Sequence, residues 1–164
     1  KENMKRCIRI FGYLKHNAKG RIVFDPADPN YDDIDFSKES DWTDLYPDAL
    51  EAVPEEAPVS KNKRLLKLTA IVDASHASDL ITRRSVTGYI LFIGITPIKW
   101  YSKRQNTVET STYGSELVAM RIALEALLEM RYTLRMLGIG FEERSTMLSD
   151  NQSIIINTQL PTSS

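Results

Sequence analysis

The chain of 164 residues is long enough for one domain with a buried core, and its apolar content of 42% is typical of a globular protein. No apolar run approaches the ~20 residues of a membrane-spanning helix. The single Cys7 excludes an internal disulfide and fits a reducing compartment, and two histidines with one cysteine exclude a zinc site of the usual spacing. Any metal would therefore be held by carboxylate oxygens, which suits Mg²⁺ or Mn²⁺.

The net charge of −1 conceals an uneven distribution. Residues 25–56 contain 12 acids and a single base, Lys38, and so carry −11. The rest of the chain contains 20 bases and 10 acids, and so carries +10. A basic body attracts a phosphate backbone, although charge alone is a weak indicator of the partner.

The first 63 residues combine a helix with an acidic, proline-rich segment. Apolar residues at three-four spacing predict a helix over residues 2–16 with one buried face, and residues 21–24 predict a short strand. That face consists of Met4, Cys7, Ile8, Phe11 and Leu14. Residues 25–63 predict an irregular insert or linker with a short helix near residues 40–50.

A calcium-loop pattern lies within the acidic segment. Its acidic and amide side chains fall at loop positions 1, 3, 5 and 12, namely Asp28, Asn30, Asp32 and Glu39. Asp33 stands where such a loop needs glycine, and flanking helices are absent from the pattern. A solvated acidic loop is therefore the favoured interpretation.

From residue 64 onward the pattern predicts the element order β-β-β-α-β-α. Strands are predicted up to Asp73, over residues 86–94 and over residues 98–105, joined by short connections as an antiparallel meander. A helix of some seven turns follows, capped by Ser111 or Thr112 and ended by Gly138. A fourth strand over residues 145–150 then leads into a last helix. The long helix is expected to bury Leu117, Met120, Leu124, Leu127 and Leu128, and Trp100 is expected to pack on the sheet.

Three carboxylates fall at the ends of these elements. Asp73 ends the first strand, Glu116 lies in the first turns of the long helix, and Asp150 stands between the fourth strand and the last helix. Taken singly, Asp150 could cap a helix, Glu116 could be a solvated helix residue, and Asp73 could start a turn with Ser75. Three converging acids would repel one another unless a cation lay among them, so together they predict a divalent metal site. The nearby His76 could contact substrate or cap a turn, and the turn is favoured.

The stretch VDASHASDLITRRSVTGYILFIGITPIKWYSKRQNTVETSTYGSELVAM, followed by LSDNQSIII, resembles the ribonuclease H domain of copia-type LTR retrotransposon polyproteins. The shared features are an acid ending strand one, S-x-x-G-Y, P-I-x-W-x-S-K-x-Q, a helix glutamate and a late D-N-x-S. They span residues 68–157. The N-terminal MKRCIRIFGYLK resembles the helix that ends the reverse transcriptase part of such polyproteins. The resemblance divides the chain into a reverse transcriptase end or connection (1–24), the acidic insert or linker (25–63) and a ribonuclease H-like domain (64–164).

The resemblance implies a ribonuclease H-like α/β fold, with a mixed sheet whose strands one to three are antiparallel and with helices packed on it. It implies endonucleolytic hydrolysis of the RNA strand of RNA–DNA hybrids, leaving a 5′-phosphate and a 3′-hydroxyl. Asp73, Glu116 and Asp150 match the first three metal-binding acids of the family. Two Mg²⁺ ions ~4 Å apart, with Mn²⁺ as an alternative, would activate the water and stabilise the leaving 3′-oxygen.

The resemblance also suggests residues that contact the substrate. Lys99, Lys103 and Arg104 would make the third strand suited to phosphates, and polar groups near the helix start would read 2′-hydroxyls. The full set is Ser75, Arg83, Arg84, Lys103, Arg104, Gln105, Ser111 and Thr112. The alternative for each is an ordinary solvated surface residue.

The implied partners are an RNA–DNA hybrid and the reverse transcriptase part of the same polyprotein, with no membrane, in the cytoplasmic virus-like particle of a retroelement or in the nucleus. Three departures from the family pattern matter. The acidic insert between Asp25 and Glu56 is longer than the one that many relatives carry. Gly114 stands where the family often has a glutamate, and the fourth metal-site residue is expected beyond Ser164. The alternatives are a catalytically incomplete module that binds hybrid or links to the polymerase, and an integrase-like enzyme, against which PIKWYSKRQ argues.

Overall fold

The computed structural model describes residues 2–25, 27–36, 45–47 and 51–159. From the first strand onward, the elements follow the predicted order β-β-β-α-β-α. The described residues contain the helices α1 (Glu2–His16), α2 (Thr112–Met136) and α3 (Gln152–Gln159). The strands are β1 (Leu68–Ser75), β2 (Val86–Ile93), β3 (Thr96–Arg104) and β4 (Thr146–Leu148).

The four strands form one mixed sheet in the order β3-β2-β1-β4. β2 is antiparallel to both β1 and β3, while β4 runs parallel to β1. The β2–β3 hairpin turns at Gly94, whose φ of +58° is rarely adopted by other residues. A Cβ there would also lie 2.5 Å from the carbonyl oxygen of Ala27. This sheet with its helices is consistent with the ribonuclease H-like fold, so the expected fold class is confirmed.

The core lies between one face of the sheet and α2. Alternate residues of β1 turn toward the helix, and Leu68, Ala70 and Val72 are each at most 3% exposed. On α2 the opposing positions include Ala119 and Ala123, both fully buried. Small side chains at the contact let the helix backbone approach the sheet closely.

The predicted leucine face of α2 is mostly wrong. Leu127 is buried as expected, but Leu117, Leu124 and Leu128 are 43%, 45% and 47% exposed. The helix is rotated so that its alanines meet the sheet, and a periodicity of large apolar residues cannot reveal a contact made by small ones.

Trp100 is also not packed as expected. It is 65% exposed on the sheet face opposite α2. In the register it stands beside Ile90, which in turn pairs with Ile71, and both isoleucines are about two-fifths exposed. Alternation along β3 correctly predicts which side chains share a sheet face. Among the described residues, however, no helix or strand covers the face opposite α2 at Ile71, Ile90 and Trp100.

The N-terminal predictions are confirmed in part. α1 has the predicted bounds, but its expected buried face is exposed, with Ile8 at 63% and Phe11 at 70%. Among the described residues no other helix or strand packs against α1. Residues 21–24 form no strand, and most of the helix expected over residues 40–50 lies outside the described residues. None of the described helices combines the length and apolar character that crossing a membrane requires.

The acidic segment contacts the body at β3 and at β1. The backbone N–H of Asp25 donates to Thr96 Oγ1 at 2.8 Å, and the hydroxyls of Tyr31 and Thr69 are hydrogen-bonded. Within the calcium-loop pattern, Asp28 pairs with Arg64 at 2.6 Å and the Oδ1 of Asn30 accepts from the backbone N–H of Asp32 at 2.7 Å. The fourth residue of that pattern, at position 39, lies outside the described residues.

Candidate metal centre

The three acids singled out in the sequence converge. Asp73 lies near the end of β1, Glu116 in the second turn of α2, and Asp150 just after β4. One carboxylate oxygen from each lies within 4.8 Å of the others. Among the described residues this is the group of histidine, cysteine and acidic side chains placed to hold a metal ion.

Strand direction explains the convergence. β4 runs parallel to β1, with Leu148 opposite Ile71, so both strands end at the same edge of the sheet. β3 also runs in the direction of β1, because both are antiparallel to β2. α2 begins shortly after β3, and its first turns therefore lie at that edge.

Glu116 is the buried member of the cluster, at 5% exposure. Its carboxylate accepts a hydrogen bond from the backbone N–H of Ala74, while Oε2 is buried and has no partner among the described residues. Burial raises the pKa of Glu116 above its usual value, and the nearby charges of Asp73 and Asp150 raise it further. A buried, unpaired carboxylate oxygen beside two acids is an environment that a cation would stabilise.

Asp150 does not cap the last helix. The capping bonds go instead to Asn151, whose Oδ1 accepts from Ser153 N at 3.0 Å and from Ile154 N at 3.3 Å. The alternative role considered for Asp150 therefore belongs to its neighbour. The carboxylate of Asp150 is not used for capping and lies with those of Asp73 and Glu116.

The donor set fits a hard divalent cation. All three ligands are carboxylate oxygens, which Mg²⁺, Mn²⁺ and Ca²⁺ prefer. In the described part of the chain, no lysine or arginine forms an ion pair with Asp73, Glu116 or Asp150. The unsatisfied Oε2 of Glu116 is the structural feature that a bound ion would complete.

Polar residues continue the site along the outer face of the sheet. Ser75 is exposed and, two residues after Asp73 on β1, lies on the same face. Asp73 pairs with Gly88, which pairs with Ser102, so Ser102 stands in the same cross-strand row. Sequence reasoning missed Ser102, because its relation to Asp73 depends on the register across three strands.

The connection between β1 and β2 is held by Asp79, another residue that the sequence reasoning did not single out. Its Oδ1 accepts from the backbone N–H groups of Ile81 and Thr82, both at 3.0 Å. Its carboxylate also pairs with Arg104. The hydrogen bond from Thr82, followed by that from Arg104, holds the pKa of Asp79 well below its usual range. This loop carries Arg83, which is exposed, and Arg84, which is half-buried.

The basic residues of β3 differ in whether an acid already pairs with them. Lys99 donates to Glu129 on α2 at 2.6 Å, and Arg104 is paired with Asp79. Lys103 is exposed and forms no ion pair within the described residues. Of the bases expected to meet phosphates on this strand, Lys103 is therefore the one whose charge is not already neutralised by an acid.

The polar residues near the start of α2 fall into two groups. Ser111 and Thr112 are exposed at the helix start, where the Ser111 hydroxyl caps the helix by accepting from Gly114 N at 3.0 Å. Gln105 is 3% exposed and its amide is engaged within the protein. The expected 2′-hydroxyl contact thus remains a prediction for Ser111 and Thr112, whereas Gln105 does not face solvent.

The chain is 36% identical over 69 residues to a protein of Arabidopsis thaliana named "Uncharacterized mitochondrial protein AtMg00810". The match covers 42% of this chain and 28% of that protein. No protein-family model and no solved structure matches the chain.

Proposed function

We propose that this chain is the ribonuclease H of a copia-type retroelement, which hydrolyses the RNA strand of RNA–DNA hybrids during reverse transcription. The observation that supports the proposal most strongly is the convergence of Asp73, Glu116 and Asp150 at one sheet edge, with a buried Glu116 oxygen left unpaired. The sequence motifs around these acids resemble that family.

Asp73, Glu116 and Asp150 would hold the divalent cation, Mg²⁺ or Mn²⁺, in this proposal. When bound, the cation supplies Lewis-acid stabilisation of the charge that develops on the scissile phosphate. Ala74 keeps the Glu116 carboxylate in place through its N–H, and Asn151 fixes the start of α3 directly after Asp150. Because Asn151 rather than Asp150 caps α3, the Asp150 carboxylate is not used for capping and is available for the ion.

Exposed groups around the acids suit a nucleic acid backbone. Lys103 and Arg83 offer cations for phosphates, and the hydroxyls of Ser75, Ser111 and Thr112 offer hydrogen bonds that could distinguish RNA by its 2′-hydroxyl. These groups lie on the end of β1, the loop from β1 to β2, the end of β3 and the start of α2, which carry or adjoin the acids.

The proposed partners are the hybrid and the reverse transcriptase part of the same polyprotein, within a virus-like particle or the nucleus. The exposed apolar residues of α1 support the second partner, because Ile8 and Phe11 pack against no described element of this chain. Residues 1–24 would then belong to the polymerase side, and residues 64–164 to the nuclease.

The test is cleavage of a labelled RNA–DNA hybrid in Mg²⁺ and in Mn²⁺. We would use this chain and the chain extended beyond Ser164, where the resemblance places a further metal-site residue. Cleavage of the RNA strand, with the DNA strand intact and with activity lost in Asp73→Asn, is the expected result. If Asp73→Asn cleaved at the parent rate, the assigned site would be wrong.

Two other outcomes would point to other functions. Salt-sensitive binding of the hybrid without cleavage by the extended chain would identify a non-catalytic binding or linking module. Strand transfer on DNA ends, with no action on the hybrid, would identify an integrase-like enzyme.

A further inference from the structure

Gln105 is a buried polar residue that joins the sheet to the start of α2. It follows directly after β3 and is 3% exposed. Its Nε2 donates to Thr87 Oγ1 at 3.0 Å and to the backbone carbonyl of Ser115 at 2.8 Å. Thr87 lies on β2, and Ser115 is the residue before Glu116, so one amide bridges two elements beside the cluster.

The surroundings of Gln105 are polar and fully enclosed. Ser85, Thr87 and Ser115 are each 0% exposed. The backbone N–H of Gln105 donates to the carbonyl of Ser85 at 2.8 Å, and the Ser85 hydroxyl accepts from Ala77 N at 3.0 Å. The bonds through Gln105 and Ser85 therefore reach α2, the start of β2 and the loop that follows β1. The Oε1 of Gln105 is buried and has no partner among the described residues, so the two bonds that Nε2 donates are the ones through which the Gln105 amide joins these elements.

The hydrogen bonds of Gln105 involve residues that adjoin Glu116 on the helix and on the sheet. Thr87 pairs in register with Ala74, the residue whose N–H donates to Glu116. The first turns of α2 are thus held at two adjacent points, at the Ser115 carbonyl by Gln105 and at the Glu116 carboxylate by Ala74. Losing the first would leave the carboxylate tied while the backbone that carries it could shift.

We infer that Gln105 is the positioning residue for Glu116, and that its contribution is to hold Glu116 in the geometry that binds the divalent cation. This inference rests on the proposed function, because it assumes that the cluster binds such an ion. It assigns Gln105 an internal role in place of the substrate contact suggested by its motif. The amide orientation follows from the Ser115 carbonyl, since only the NH₂ end can donate to it.

The test measures Mn²⁺ affinity directly, by calorimetry or by electron paramagnetic resonance, without any turnover. Gln105→Met keeps the length of the side chain and removes both donated bonds. Gln105→Asn keeps the amide but is one methylene too short to span Thr87 and Ser115. Partners that orient metal ligands typically contribute a factor of about 10 or more to affinity, so both variants are expected to bind Mn²⁺ about 10-fold more weakly.

Thr96→Val provides the matched control. Thr96 stands at the opposite end of β3, is 4% exposed, and uses its hydroxyl in two hydrogen bonds with Asp25. It therefore loses buried hydrogen bonds at a distance from the cluster. Circular dichroism and thermal unfolding of every variant establish that each is folded, and Gln105→Asn serves if Gln105→Met is not.

The outcomes separate the inference from the proposed function. Weaker Mn²⁺ binding in the Gln105 variants with unchanged affinity in Thr96→Val supports the inference. Parent-like affinity in a folded Gln105 variant overturns it while leaving the metal site standing. An equal loss in Thr96→Val also overturns it, because the effect would then follow general destabilisation. Absence of Mn²⁺ binding by the parent chain and by the chain extended beyond Ser164 would remove the proposed function itself.

Discussion

The backbone N–H of Ala74 donates to the carboxylate of Glu116, which ties the strand that carries Asp73 to the helix that starts at the same sheet edge. The bond keeps one side of the Glu116 carboxylate occupied and leaves Oε2 buried without a partner among the described residues. With Asp73 and Asp150, Glu116 forms a set of carboxylate donors that a divalent cation would stabilise.

Divalent ions are expected to stabilise the protein through this cluster. A ligand that binds only the folded state adds about 2.7 kcal/mol at 100 times its Kd, so Mg²⁺ or Mn²⁺ should raise Tm in thermal unfolding. Glu116→Gln should abolish most of that increase, because the substitution removes the charge of the buried ligand. An undiminished Tm increase in Glu116→Gln would show that the ions bind elsewhere.

Without divalent ions, Glu116→Gln should be more stable than the parent at pH 7. Burial and the charges of Asp73 and Asp150 raise the pKa of Glu116, so ionisation costs more in the folded than in the unfolded chain. The parent should therefore lose stability as pH rises above the usual glutamate pKa, and the variant should lose less. Denaturant unfolding in a chelating buffer, at several pH values, measures the difference. A variant less stable than the parent at pH 7 would contradict this account.

Asp150 and Asn151 are expected to have separable roles. Asn151→Ala removes the cap of α3 and should lower the free energy of unfolding by about 1 kcal/mol, while the response to Mn²⁺ changes little. Asp150→Asn should do the reverse, keeping stability and losing the metal response. Denaturant unfolding with and without Mn²⁺ gives both quantities for each variant. The same loss of Mn²⁺ response in both would mean that the cap and the ligand cannot be separated.

The lysines of β3 should differ in their contribution to hybrid binding. Lys103→Gln should reduce the slope of log K against log salt concentration by about 1, as expected for one lost phosphate contact. Lys99→Gln is the matched control on the same strand, and it should change the slope little because Glu129 already pairs with Lys99 at 2.6 Å. Affinities measured at several salt concentrations give the slopes. Equal reductions by both would show that the ion pair does not restrain Lys99.

The ion pair between Glu51 and Arg131 should make stability depend on acidic pH. Hydrogen bonding from Arg131 is the largest cause that lowers the pKa of Glu51 from 4.5 to about 2, against the opposing effect of burial. A lowered pKa stabilises the folded state above pH 4.5, and this contribution is lost as pH falls toward about 2.

Glu51→Gln should therefore lower the free energy of unfolding at pH 7 by about 1–3 kcal/mol, since Glu51 is partly exposed while Arg131 is nearly buried. The gap between parent and variant should close as the pH approaches 2. Glu55→Gln is the control, because Glu55 is exposed and lies close to Glu51 in the sequence. Denaturant unfolding across this pH range measures both, and identical pH profiles for the two variants would exclude the ion pair as the cause.

The order of elements and the three acids could be predicted from the sequence. Strand alternation, turn residues and the cap at Ser111 are local signals, and each correctly predicted an element within a few residues. The acids were recognisable because Asp73 is a lone charge in an apolar strand and Asp150 stands at a strand-to-helix junction. Because β1 and β4 are parallel and α2 starts at the same sheet edge, these carboxylates lie close together.

Other features were decided by tertiary structure, because they depend on partners distant in sequence. Ala119, Ala123 and Ala126 of α2 join the core, because a close contact with the sheet selects small side chains. Leu127 is buried with them, whereas Leu117, Leu124 and Leu128 are largely exposed. Lys99 pairs with an acid on α2, and Arg104 pairs with an acid on the β1–β2 loop. The strand therefore has fewer unpaired positive charges than its sequence suggests. Gln105 lies in a motif that suggests substrate contact, but it is buried. Its amide is hydrogen-bonded to Thr87 on β2 and to Ser115 on α2, next to Glu116. The sequence alone indicated the three candidate metal-binding acids and the candidate substrate-binding residues, and packing decided which of these side chains are already engaged by internal partners.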